Sequence, residues 1–161
     1  MQKKWFRILI TGITLALMIM IFFFSTESAE ASDSTSGMIA RRVADIIRPD
    51  WKEMEEEPRT VFYNSVQFAV RKTAHFTEFA MLGACMLLCL KSWLGELRYL
   101  KFYAWIGGTA WAVLDEIHQL LVDGRSGQLK DVLLDSSGAA CGVLIVELIM
   151  IALKRKIRPR T

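Results

Sequence analysis

The sequence predicts an all-α fold: an integral membrane bundle of four transmembrane helices, with an amphipathic helix at the outer face between spans one and two. Three observations carry this. Hydrophobic residues make up 53% of the 161 residues although 23% are charged, and the mean hydropathy is +0.30. The charges are segregated from four apolar runs, so the two figures reconcile only if those runs sit apart from water. The basic residues then fall at one set of run ends and leave the acids to the other.

The first run is the clearest. Ile8 to Phe24 is seventeen residues without a charge, and from Trp5 the segment spans about 30 Å at 1.5 Å per residue, the thickness of a bilayer core. Residues 74–94, 102–122 and 132–153 form three further runs, each carrying ionisable residues. A second reading of the N-terminus is a secretory signal cleaved after the small residues Ala29 and Ala31. The length of the apolar run, and the polar residues between it and Ala29, favour an uncleaved anchor.

Orientation follows from Lys and Arg near the span ends. With the N-terminus inside, Lys3, Lys4 and Arg7, the 91–101 loop and the KRKIRPR tail hold eleven basic residues against the single acid Glu96. The outer pieces interleave their bases with acids, so both termini are expected in the cytoplasm, with the chain multi-pass in the membrane. The net charge of +3 then anchors the inner face to anionic lipid; nucleic-acid binding is not expected. Cys85, Cys89 and Cys141 all fall within spans, which implies packing rather than a disulfide framework.

Four regions result: an N-terminal anchor, 1–24; an extracytoplasmic linker with amphipathic helices, 25–70; a three-span core, 71–153; and a basic cytoplasmic tail, 154–161. STESAEASDSTSG reads as a flexible linker. After it, MIARRVADIIR puts Ile39, Val43, Ile46 and Ile47 on one helical face, fit to lie on the outer leaflet or to cap the bundle. Pro49 and Pro58 bracket an acidic surface stretch, WKEMEEE. From Arg59 the helical pattern resumes, with Phe62, Val66 and Ala69 on one face, and can run straight into span two. Short loops join spans two to three and three to four, the latter turning at Gly124 and Gly127. Gly138 and Gly142 form a G-x-x-x-G that packs span four inside the bundle.

The remaining charges gather. Arg71, His75 and Glu78 share a face at the outer end of span two. Asp115, His118 and Gln119 share one at the outer end of span three, beside Glu116. Asp131 and Asp135 open span four, and Lys72, Arg125 and Lys130 lie close in sequence. All three groups come out at one depth, although the topology did not require it. Charged groups at membrane depth cost about 2.5–3.5 kcal/mol each on insertion scales, so they are expected to face inward and pair, commonly around a site.

Four readings stay open. One is structural, a buried network that fixes helix register. A second is a metal site on His75, Glu78, Asp115 and His118, since His75-x-x-Glu78 and Asp115-x-x-His118 each put an imidazole and a carboxylate on one helical face. A third is acid–base or nucleophilic chemistry on a lipid phosphate, with His118, Asp115, His75 and Glu78 as candidate catalytic groups. In the fourth, Arg71, Lys72, Glu116, Gln119, Arg125, Asp131 and Asp135 line a binding pocket for an anionic head group or peptide. No cofactor is expected, a divalent metal being the one exception considered. The expected partners are membrane lipids and, on the family resemblance that follows, lipid-linked cell-wall intermediates.

Taken together, RKTAHFTEFAMLG and DEIHQLLVDGRSGQLKDVLLDSSGAACG resemble the signature stretches of the VanZ-like membrane proteins, and FFFSTESAEAS is similar to that family's Ser-rich exit from span one. The resemblance covers roughly residues 5–150. Leu121 and Asp123 stand where Phe and often Pro are usual; the polar positions Arg71, Lys72, His75, Glu78, Asp115, Glu116, His118, Gln119, Arg125, Asp131 and Asp135 all match. The resemblance implies a multi-pass bacterial envelope protein, of a family whose namesake is associated with lowered susceptibility to the lipid-tailed glycopeptide teicoplanin. Two functions follow as expectations: a non-enzymatic protein whose outer polar cavity binds an amphiphile, or a membrane enzyme acting on a phosphate-bearing head group. Whether it is an enzyme stays open.

Overall fold

The computed structural model describes residues 2–26, 29–122 and 127–157, and these form five α-helices, one 3-10 turn and no strand. Helix α1 is Gln2–Ser25, α2 Ala29–Ile47, α3 Glu56–Leu94, α4 Leu100–Gln119 and α5 Leu129–Ile157; the 3-10 turn is Trp51–Glu53. Helix α3 is the central post, packing against each of the other helices. Three of the helices, α1, α3 and α5, are long and apolar enough to cross a membrane. Helix α4 has the length, about 30 Å for its 20 residues, but Asp115, Glu116, His118 and Gln119 dilute its apolar content.

The bundle is inside-out relative to a water-soluble one. Helix α4 buries Leu100, Ala104, Gly108, Ala112, Asp115, Glu116 and Gln119, and exposes Phe102, Tyr103, Ile106, Leu114 and Ile117. Helix α1 likewise buries Thr14 and Ser25 with Ile10 and Ile21, while Trp5, Leu9, Ile19, Phe23 and Phe24 face outward. Small and polar groups inside with large apolar groups outside is the arrangement a lipid solvent selects.

Glycine sets the closest contact. Helices α3 and α5 run parallel, and a Cβ on Gly138 or Gly142 would collide with the carbonyl oxygen of Phe76 or Ala80. Gly83 faces the Ala139 backbone in the same way. The G-x-x-x-G therefore seats α5 on α3, as its spacing predicts. At the far end, Gly95 takes φ 78° to stop α3, a conformation that costs a side chain. Lys91 there meets Glu147 of α5 at 2.5 Å, and Glu96 meets Lys154 at 3.0 Å. The cysteines are free thiols; Cys89 Sγ lies 3.4 Å from Thr11 Oγ1.

One expectation shifts. The Ser-rich stretch is not all linker: α2 begins at Ala29, because Ala29, Glu30 and Ala31 favour helix and the following turns find a partner in α3. Gly37, Ala40 and Ala44 are buried, the two alanines in a cluster with Trp51 and Val66 against which Val43 packs, whereas Ile39, Ile46 and Ile47 are exposed. Small side chains admit close approach; the larger isoleucines are left at the rim. From Arg59 the helix does run without interruption into span two, giving α3 its 39 residues.

Candidate functional site

The α4 C-terminus, the α5 N-terminus and the middle of α3 meet at one end of the bundle. There His75, Asp115 and Asp135 each bring a ligand atom to within 4.8 Å of the others, one residue from each of three helices. Asp115 and Asp135 are buried and His75 is half-buried. His75 Nδ1 stands 4.0 Å from Asp135 Oδ2, too far for a hydrogen bond. Gln119 Nε2, one turn beyond Asp115, donates to Asp115 Oδ2 at 2.9 Å and fixes that carboxylate.

A rim of ion pairs and backbone bonds surrounds these three. Lys72 pairs with Asp131, tying α3 to the first turn of α5, where a carboxylate also complements the helix dipole. Glu116 Oε1 accepts from the Gln128 backbone N–H at 2.5 Å, so it closes the α4–α5 connection rather than facing the triad. Below, Thr109 and Ser136 share a hydrogen bond of 2.8 Å, and Trp105 Nε1 donates to Ser136 Oγ at 3.1 Å.

Most of the sequence-derived set thus comes together, with a different division of labour. Of the four metal candidates, His75 and Asp115 lie in the cluster and Asp135 joins them. Glu78 is half-buried on α3 outside that group of ligand atoms. His118 turns toward α1 and meets the Phe22 ring at a tilt of 31°, with ring centroids 4.3 Å apart; its Nε2 is buried without a hydrogen-bond partner among the described residues. Arg71 is half-buried on α3 and Lys130 is exposed. Gly124 and Arg125 fall outside the described residues.

Three features escaped the sequence. Phe22 and the buried Ser25 bring α1 to the edge of the site, and only the abrupt end of FFFS hinted at it. Ser136 bonds across to α4, signalled by nothing more than its place after Asp135. Lys91 and Glu147 pair at the opposite end; Lys91 was read as an inner-loop base, and Glu147, an acid within the fourth run, was the available sign.

A second concavity lies between α2 and the N-terminal half of α3. It has a volume of about 590 Å³ and is lined by apolar groups, among them Ile39, Val43, Ile47, Phe62, Val66 and Val70. Its lining reaches Thr73 and Ala74, level along α3 with the polar cluster but on another face of that helix.

These features define a helical membrane protein that carries buried ionisable groups, from three of its helices, at one end of the bundle. The profile of the VanZ/LLP1 family matches residues 10–150, most of the chain, and the chain belongs to that family. No curated protein and no solved structure matches it.

Proposed function

We propose that this chain is a bacterial cell-envelope protein that crosses the cytoplasmic membrane four times, with both termini inside, and binds an amphiphile at the outer face. The observation that carries the reading is the meeting of His75, Asp115 and Asp135, rimmed by Lys72 and Asp131, with an apolar groove of about 590 Å³ at the same level on another face of α3. Ionisable groups held at such depth are costly unless they serve a polar ligand, and the groove offers an acyl or prenyl chain a dry wall. Helix α4 counts as the fourth span because its polar residues face the bundle and its apolar ones face out. The amphiphile is a lipid-linked cell-wall precursor or the tail of a lipoglycopeptide, and occupancy by the latter would lower glycopeptide susceptibility.

A second reading, chemistry on a phosphate-bearing head group, draws on the approach of His75 to Asp135 with Lys72 at the rim. One assay separates the two. Purified protein in nanodiscs is incubated with labelled polyprenyl phosphate and with labelled phospholipid. Saturable binding without turnover, weakened at least tenfold in Val66→Trp and in Lys72→Ala, is expected. Turnover that disappears in His75→Ala would replace the binding reading with the enzymatic one, and absence of both would overturn the proposal.

A further inference from the structure

We infer that His75, Asp115 and Asp135 form a binding site for one divalent first-row transition-metal ion. The site goes beyond amphiphile binding and does not depend on it.

The donor set comes first. One imidazole and two carboxylates, each from a different helix, are the ligands of open-sided sites for ions such as zinc, manganese and iron(II). Calcium and magnesium favour oxygen alone, so the imidazole selects against them. The ligand atoms lie within 4.8 Å of one another. Around a tetrahedral ion with bonds of about 2.1 Å the donors stand roughly 3.4 Å apart. Side-chain rotation covers the remaining distance, and two neighbouring carboxylates draw inward once a cation offsets their repulsion.

Asp135 supplies an independent sign. It is 2% exposed, and its Oδ1 has no hydrogen-bond partner among the described residues. A buried carboxylate oxygen without a donor costs far more than a solvated one. His75 does not relieve it, since the pair stands at 4.0 Å instead of closing to a hydrogen bond. Lys72, the nearby base, is engaged with Asp131. A cation between imidazole and carboxylates satisfies Asp135 and accounts for the spacing.

Support also comes from outside the ligands. Gln119 donates to Asp115 Oδ2, the kind of orienting bond that fixes a ligating carboxylate. The backbone of α5 is locked against α3 by Gly138 and Gly142 immediately below Asp135, so two of the three ligands ride on a rigid pair of helices.

The test uses the full-length, tag-free protein in detergent, stripped with chelator and titrated with cobalt(II) and then zinc(II). Expected is one equivalent per chain, a cobalt absorption spectrum with one nitrogen donor, and displacement of cobalt by zinc. The chain has two histidines, which makes the nitrogen donor assignable: His75→Ala should abolish the spectrum and His118→Ala should keep it. Asp135→Asn should weaken zinc binding at least 100-fold, and Gln119→Leu about tenfold. Glu147→Gln, at the other end of the bundle, should bind as the unaltered chain does. Circular dichroism reports whether each variant is folded. Should Asp135→Asn or His75→Ala fail to fold, X-ray absorption on the cobalt-loaded unaltered protein decides, since a first shell without a single imidazole overturns the site. So does the lack of saturable binding in the unaltered chain, or full binding by folded His75→Ala. Lipid binding is read separately, so the failure of either proposal leaves the other standing.

Discussion

At Gly142 the absence of a side chain is a structural requirement. Its missing Cβ leaves room for the Ala80 carbonyl, and backbone cannot step aside as a flexible side chain can. Gly142→Ala should therefore destabilise the bundle by about 2 kcal/mol, within the range for overpacking. Gly12 of α1 has open space where a Cβ would go, so Gly12→Ala should be neutral or slightly stabilising. Thermal unfolding of both variants in one detergent checks the pair; equal losses would refute the close-packing account. Asp45 shows a different control, electrostatic and outside the bundle. The Lys52 ammonium, at 2.8 Å, and then the Trp51 indole, also at 2.8 Å, hydrogen-bond its carboxylate and hold it below its ordinary value of 3.8. A depressed folded value means that this stabilisation is complete above the unfolded value and fades as pH falls through the folded one. An acid titration followed by Trp51 fluorescence, taken as the difference from Trp51→Phe, should show a transition below about pH 4 that Asp45→Asn removes. A midpoint above 5 would contradict the assignment.

Elements were legible in the sequence to the extent that their pattern was local. The apolar runs located α1, α4 and α5, and in α1 and α5 composition over about twenty residues announces a helix able to cross a membrane. The fusion of the Arg59 segment with span two was legible too, since no helix breaker intervenes. The start of α2 was not. Ser- and Asp-rich residues carry weak helical preference of their own, and what holds them is Gly37, Ala40 and Ala44 against Tyr63 and Val66 of α3, a contact far apart in sequence. The same distinction governs the polar cluster. Helical spacing grouped Asp115 with His118 on α4, yet the angle at which α4 meets α1 and α3 turns Asp115 to His75 and leaves His118 to Phe22. Periodicity gives a face to each residue, and only the packing of neighbouring helices says what that face meets.

For the molecule as a whole, the proposed four-span arrangement makes a claim about sides. A periplasm-active reporter fused after Asp50, in the turn following α2, should be active, and one fused after residue 161 should be inactive. A cytoplasm-active reporter should give the converse. The reverse pattern would put the His75 cluster on the cytoplasmic side and end the outer-face proposal. The bundle's two ends are also built differently. One pairs Lys91 with Glu147 and Glu96 with Lys154, locking α3, its following loop and α5 together with complementary charge. The other gathers carboxylates and imidazole from three helices, with Lys72 and Asp131 paired at its rim.

Helix α3 has a mechanical consequence. Its 39 residues make a rod of about 58 Å, nearly twice the depth of a bilayer core, and between Arg59 and Leu82 it contains neither proline nor glycine. The α2 groove and the His75 cluster therefore hang on one axle without a joint. A turn of the α3 backbone where α2 clasps it therefore carries the Cα of His75 round with it.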